Sequence, residues 1–332
     1  MEDLDKFKLK LIDREITIEK IEEFMKVLKN FETFVSNLNK TIATISSEDF
    51  YNFSEELIKK KQNTSFTYEV IVGYGRFTNN NNLVRWGLEV LDGSEVMKNF
   101  SKRLEEEFGK AFRDEIFADT EIPSLGIDPK KKPEYTKKLI SRFESKVDEK
   151  TCEKFLAEGL RDPYYEWRKP DREKFLNSKN IDEFLEQKQE RFIKNLEKLR
   201  DEEQLFFTQE VNDEVVEYAR NNPGIEGGIR KGNILTVNKI PYETIGYIHA
   251  DNPKMKAYHY CHCPWVREAI LDDTLDRIPK VFCNCSGGYY KQYWQIVLDQ
   301  PIEVKTVKTV INGDPICEFD IFLPEEIVEG LD

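Results

Sequence analysis

KAYHYCHCPW, residues 256–265, decides how the last third of the chain is read. Residues 256–263 alternate in a way that predicts a strand, and Pro264 then stands where a helix can open, since the first helical position has no use for its missing N–H. Residues two apart in a strand share a face, so His259, Cys261 and Cys263 point one way and Tyr258, Tyr260 and His262 the other. FCNCSGGYY, residues 282–290, carries a second Cys-x-Cys, with Ser286 as the expected N-cap of a helix through YYKQYWQIVLD. The chain has only six cysteines and three histidines, and five of the cysteines and all the histidines lie between residues 249 and 317.

Around these stretches the texture is that of an antiparallel sheet. GGIRKGNILTVNKIPY, residues 227–242, predicts a hairpin turning at Lys231 and Gly232, and the alternating IEVKTVKTVI and ICEFDIFL are joined by NGDP at 312–315. Residues 134–220 are helical and heavily charged. Their apolar positions Ile181, Phe184, Leu185, Phe192, Leu196 and Leu199 suit a helix packed in its own domain better than a coiled coil. Further upstream, KLKLI at 8–12 and FTYEVIVGYGRF at 66–77 predict strands, Ile18 to Val35 predicts a helix with one apolar face, and 83–117 is helical with a break at LDGS. The expected class is α+β: helical N-terminal and middle regions followed by a C-terminal antiparallel sheet packed with helices. The expected divisions are a small α+β region at 1–120, a linker at 121–133 containing a solvated PKKKP, the charged helical region at 134–220, and a metal-binding α+β domain at 221–332.

Composition narrows the function. The formal charge of −13 argues against nucleic acid as a partner, since a polyanion is repelled. No apolar run is long enough to cross a membrane, and the start MEDLDKFKLKLIDREITI lacks the layout of a signal peptide, so a reducing cytoplasm is the expected location. There, cysteines serve as core thiols, metal ligands or reactive thiols rather than as a disulfide framework.

Nineteen residues separate the two Cys-x-Cys pairs, a loop of the size found in four-cysteine zinc sites. Extended i and i+2 residues lie about 6.6 Å apart, whereas thiolates on one zinc lie about 3.8 Å apart. Both pairs must therefore bend, at Pro264 and at Ser286-Gly287-Gly288. The leading expectation is zinc on Cys261, Cys263, Cys283 and Cys285, with His259 or His262 able to replace one thiol. An iron–sulfur cluster suits the same four thiolates. A rival reading makes Cys285, just before a helix N-terminus, a nucleophile with His259 or His262 as base, in a metal- or thiol-dependent hydrolase. The plainest reading is four core cysteines without a ligand. Cys317 shares a strand face with Phe319, Ile321 and Leu323 and reads as a structural thiol, Cys152 as a half-buried helix residue, and His249 as a surface histidine. Tyr260, Trp265, Tyr290 and Trp294 are the expected lining of a pocket for an apolar or aromatic small molecule.

The order CHCPWV at 261–266, FCNCSGGYYKQYW at 282–294 and PIEVKTVKTVINGDPICEFDI at 301–321 resembles an uncharacterised bacterial and archaeal family with C-x-C-P, then [FY]-C-x-C-S-x-G, then C-x-F-x-I. The match covers roughly residues 220–324. More distantly, the ending looks like the 4-vinyl reductase type of domain, whose sensor members hold zinc beside a hydrophobic pocket. The resemblance puts that metal on Cys261, Cys263, Cys283 and Cys285. A hydrolase of a cyclic amino-acid analogue has a similar Cys-x-Phe ending, which keeps an enzyme in view. The family's Cys-Gly-Arg-x-x-Cys-like segment is replaced here by AEGLRDPYYEW, residues 157–167, without cysteine. The resulting expectation is a zinc-binding protein with a C-terminal sensor-like domain for a small molecule, whose helical regions pair subunits in a homodimer or transmit the bound state. A purely structural zinc site in a partner-binding protein is the third class.

Overall fold

The computed structural model describes residues 2–329. Its first five helices are α1 (Glu2–Asp13), α2 (Ile18–Asn37), α3 (Ser47–Lys59), α4 (Ser65–Phe77) and α5 (Asn81–Leu91). Thr17 caps α2 by accepting from the Lys20 N–H, and Ile21, Met25, Leu28, Phe31 and Val35 give it one buried stripe. Ser46 and Asp49 form a capping box on α3.

Both N-terminal strand expectations are corrected to helix. In α1 the buried residues are Leu4, Phe7 and Leu11, a helical spacing, while Leu9, which alternates with Leu11 in KLKLI, faces solvent as does Ile12. In α4 the β-branched run Val70-Ile71-Val72 is buried because this helix lies inside the bundle and leaves only a narrow strip at Glu69 and Arg76 to solvent. Glycines let α5 pack closely on it: a Cβ on Gly87 would stand 2.5 Å from Val72 Cγ2.

Next come α6 (Val96–Phe108), α7 (Lys110–Ile116), α8 (Lys132–Glu144) and α9 (Glu149–Ala157), which build the central core through Phe100, Phe143 and Phe155. The expected solvated PKKKP holds at Lys130 and Lys131, which are exposed, and is corrected at Lys132. Lys132 is 2% exposed at the start of α8, donating to the Glu89 carbonyl at 3.1 Å, one of the last acceptors of α5 left without an intrahelical donor. Upstream, Asn63 Nδ2 donates to Leu125 O at 2.8 Å, so this connection is also pinned to the bundle.

The charged stretch forms α10 (Tyr165–Leu176), α11 (Ile181–Asp201) and α12 (Asp213–Asn221). Phe184 of α11 meets Trp294 edge-on at 6.2 Å, so this helix packs within the fold as expected.

Strands β1 (Ile229–Lys231) and β2 (Ile234–Asn238) form the hairpin, with the turn at Gly232 and Asn233, one residue later than expected. They are followed by α13 (Thr244–His249), α14 (Pro253–Tyr260), α15 (Arg267–Leu271), α16 (Asn284–Leu298), β3 (Glu303–Lys308), β4 (Glu318–Phe322) and α17 (Glu325–Glu329). The antiparallel sheet has the order β1-β2-β4-β3. Val237 pairs with Phe319 and Leu235 with Ile321, placing four buried side chains on the face covered by Trp294, Val297 and Leu298 of α16. The fold is α+β.

Candidate functional site

The segment expected to be a strand is helix α14. Asn252 caps it by accepting from the Met255 N–H, and Pro253 occupies its first turn, a start signal stronger than the alternation that follows. Cys261 is its C-cap, where the backbone turns extended at φ −68° and ψ 117°. His259, Cys261 and Cys263 therefore do not share a strand face. The helix after Pro264 begins only at Arg267, where the Cys263 carbonyl accepts N–H groups of Val266 and Arg267 at 3.0 and 2.9 Å.

A single turn of 3-10 helix, Lys280–Cys283, leads directly into α16, so Cys285 sits in its first turn and Ser286 is inside the helix rather than its N-cap. Nor do Gly287 and Gly288 bend the chain. They thin the helix, which lies against Gly159 on one side and Thr306 of β3 on the other.

Cys261, Cys263, Cys283, Cys285 and Cys317 are all free, and all belong to the central core or pack against it. Two hydrogen bonds lock the segment between them and the rest of that core: Trp265 Nε1 donates to Gly93 O and Thr136 Oγ1 donates to Trp265 O, both at 2.8 Å.

Burial is the main cause that raises every one of these thiol pKa values. The Cys261 thiol is pushed up to about 12, with Cys317 the next contribution. Cys283 is pushed well above the ordinary thiol value by burial, then by Cys317, Cys263 and Cys261. Cys263 is raised by burial and then by Cys261 and Cys285. In Cys285 burial is opposed by the Arg161 guanidinium and by the N–H of Leu160, and in Cys317 by Lys239 and the N–H of Val310. The Lys239 ammonium acts on Cys261, Cys283, Cys285 and Cys317 alike. The sulfurs thus feel one another and three cations, Lys239, Arg161 and, at Cys261, Arg267, yet stay protonated. Among the described residues no three His, Cys, Asp or Glu side chains close around a point as metal ligands do.

The activated-thiol expectation finds no depressed sulfur to build on. The helix N-terminus at Cys285 is outweighed by burial. His259 Nδ1 lies 2.6 Å from Glu243 Oε2, and His262 Nε2 meets the Ile240 carbonyl. Burial lowers the His262 pKa to about 3, so its ring is neutral and the Nε2–H donates to that carbonyl. His249 is on the surface beside Glu214, and Cys152 is fully buried in α9.

The four expected pocket residues are packed into core instead. Tyr260, Trp265 and Trp294 are buried, Tyr260 donating its hydroxyl to Lys239 O at 2.8 Å, and Tyr290 lies on the Phe319 ring at 4.9 Å. An apolar surface recess of about 600 Å³ exists elsewhere, lined by Ala257, Ile270, Leu275, Val310 and Pro315 among others.

A second cavity was not visible in the sequence. It is a cleft of about 230 Å³ between the N-terminal helices and the cysteine-bearing core, with Tyr51, Glu89, Tyr242, Tyr258, Arg267 and Glu268 in its lining. His262 lines it too, while Cys261 and Cys263 on either side belong to the core. Arg267 is sandwiched between the rings of Tyr242 and Tyr258, 4.1 Å from each centroid. Tyr51 and Tyr242 donate their hydroxyls to Glu89 at 2.9 and 3.3 Å. These residues come from distant parts of the chain, and only the adjacent Arg267-Glu268 pair carried any local hint.

No protein-family model, curated protein or solved structure matches this chain. No helix among the described residues is long and apolar enough to cross a membrane.

Proposed function

We propose that the thiol cluster holds a zinc ion in a protein that binds a small molecule through its C-terminal half. One observation carries this reading: five free cysteines from three separated segments share one buried region with Lys239 and Arg161. Zinc with four thiolates bears a double negative charge, which two neighbouring cations offset. A coordinated thiol gives up its proton outright, so the metal reverses the protonation that burial otherwise imposes. The sulfurs must turn about their Cα–Cβ bonds to meet one ion, since they do not close around a point without it.

Cys261, Cys263 and Cys283 supply three ligands in this reading. Cys317 is the fourth, because it acts on both Cys261 and Cys283, whereas Cys285 acts on Cys263. A closed set of four protein ligands makes a structural centre that ties the end of α14, the start of α16 and the approach to β4 together. Cobalt substitution tests it. Tetrahedral thiolate–cobalt absorption that small anions leave unchanged is expected. Sensitivity to anions would indicate an open position and a catalytic metal, and visible absorption of the protein as isolated would replace zinc with an iron–sulfur cluster.

A further inference from the structure

We infer that the cleft beside the cysteine cluster binds a small zwitterion, a molecule presenting a carboxylate to Arg267 and an ammonium group to Glu268. No cysteine lines this cleft and its assignment does not rest on a metal, although Arg267 is also felt by the neighbouring Cys261 thiol.

The carboxylate half follows from unfilled donors. Arg267 is 8% exposed and lines the cleft. Its Nε donates to the Tyr258 carbonyl at 3.3 Å, but its outer nitrogens reach Glu89 and Glu243 only at 3.7 and 3.4 Å. Those distances exceed an ordinary N–H···O hydrogen bond. The two tyrosine rings hold the guanidinium flat, so its fork is fixed in the geometry that takes a carboxylate by two parallel bonds.

The ammonium half follows from charge. Glu268 has one hydrogen bond, from the Tyr258 hydroxyl at 3.4 Å, and burial raises its pKa. A carboxylate so placed gains from an added cation. Across the whole lining, five carboxylates face three Lys or Arg side chains, so a simple anion is repelled while a molecule that brings its own positive charge is not. Size agrees. At about 30 Å³ per water, the cleft of about 230 Å³ has room for a molecule of amino-acid dimensions, with the Trp86 and Tyr51 rings as apolar wall.

The test is calorimetric titration and thermal shift of the full chain with each of the twenty standard amino acids, its decarboxylated amine and its N-acetyl derivative. At least one amino acid should bind and raise the melting temperature, with the amine and the N-acetyl form at least tenfold weaker. Glu268→Gln should weaken that binding at least tenfold, as expected for loss of a charge-assisted hydrogen bond, and Arg267→Lys should do the same by removing the fork. Should Arg267→Lys fail to fold, Glu268→Gln and the derivative series still decide. Absence of binding by every amino acid, equal binding of an amine or N-acetyl form, or unchanged binding by Glu268→Gln would overturn the assignment. Metal content measured on the same samples keeps the fate of the cleft distinct from that of the thiol cluster.

Discussion

Gly288 and Gly159 meet backbone to backbone: a Cβ on Gly288 would stand 2.6 Å from the Gly159 nitrogen and 2.7 Å from the Ala157 carbonyl oxygen. This contact sets how closely α16 lies against the end of α9, and it brings the Leu160 N–H to the Cys285 sulfur. The obstacle is backbone, which cannot rotate aside as a side chain can. Gly288→Ala is therefore expected to lose stability at the upper end of overpacking costs, about 3 kcal/mol, read as a lower denaturant midpoint with an unchanged slope. A midpoint equal to wild type would mean that the two segments are not in contact.

Trp265 joins the cysteine-bearing segment to the turn between α5 and α6 through its indole N–H and the Gly93 carbonyl. Trp265→Phe keeps an aromatic ring but leaves that carbonyl with the Val96 N–H, at 3.2 Å, in place of two donors. The expected loss is about 0.5–1.5 kcal/mol, that of one hydrogen bond, measured by far-ultraviolet circular dichroism during urea unfolding, since the substitution alters fluorescence.

Lys132 makes stability depend on pH in an identifiable direction. Burial holds its pKa below the ordinary lysine value of 10.5, so between the two values the unfolded chain binds a proton that the folded chain has shed. Stability then rises with pH across that window. Lys132→Met lacks this contribution, so the stability of wild type relative to the variant should increase as the pH is raised toward the ordinary lysine value of 10.5. A difference that stays constant or shrinks would show that Lys132 is not desolvated in the folded protein.

Sequence made parts of this structure legible where one local rule acted alone. The stripe of Ile21, Met25, Leu28, Phe31 and Val35 defined α2, and alternation around Phe319 and Ile321 defined β4. Where a largely buried helix keeps only a narrow polar strip, as around Val70-Ile71-Val72, the composition imitates a strand. In 256–263 the alternation of Tyr, His and Cys hid a helix whose start signal, Asn252-Pro253, lay just upstream. The convergence of cysteines was visible as clustering, but Cys317 joined them only through the fold. The cleft was hidden because Tyr51, Glu89, Tyr242 and Arg267 meet only when two distant parts of the chain pack.

The most direct measurement on the thiol cluster is zinc bound per chain after exhaustive dialysis, in wild type and in single Cys→Ser variants. About one zinc ion per chain is predicted for wild type, as for a closed four-thiolate site. Cys283→Ser should lose it, Cys152→Ser should keep it, and Cys317→Ser should weaken it more than Cys285→Ser. A folded wild-type protein that takes up no metal, or a Cys283→Ser variant that keeps its zinc, would contradict the assignment of these cysteines as metal ligands.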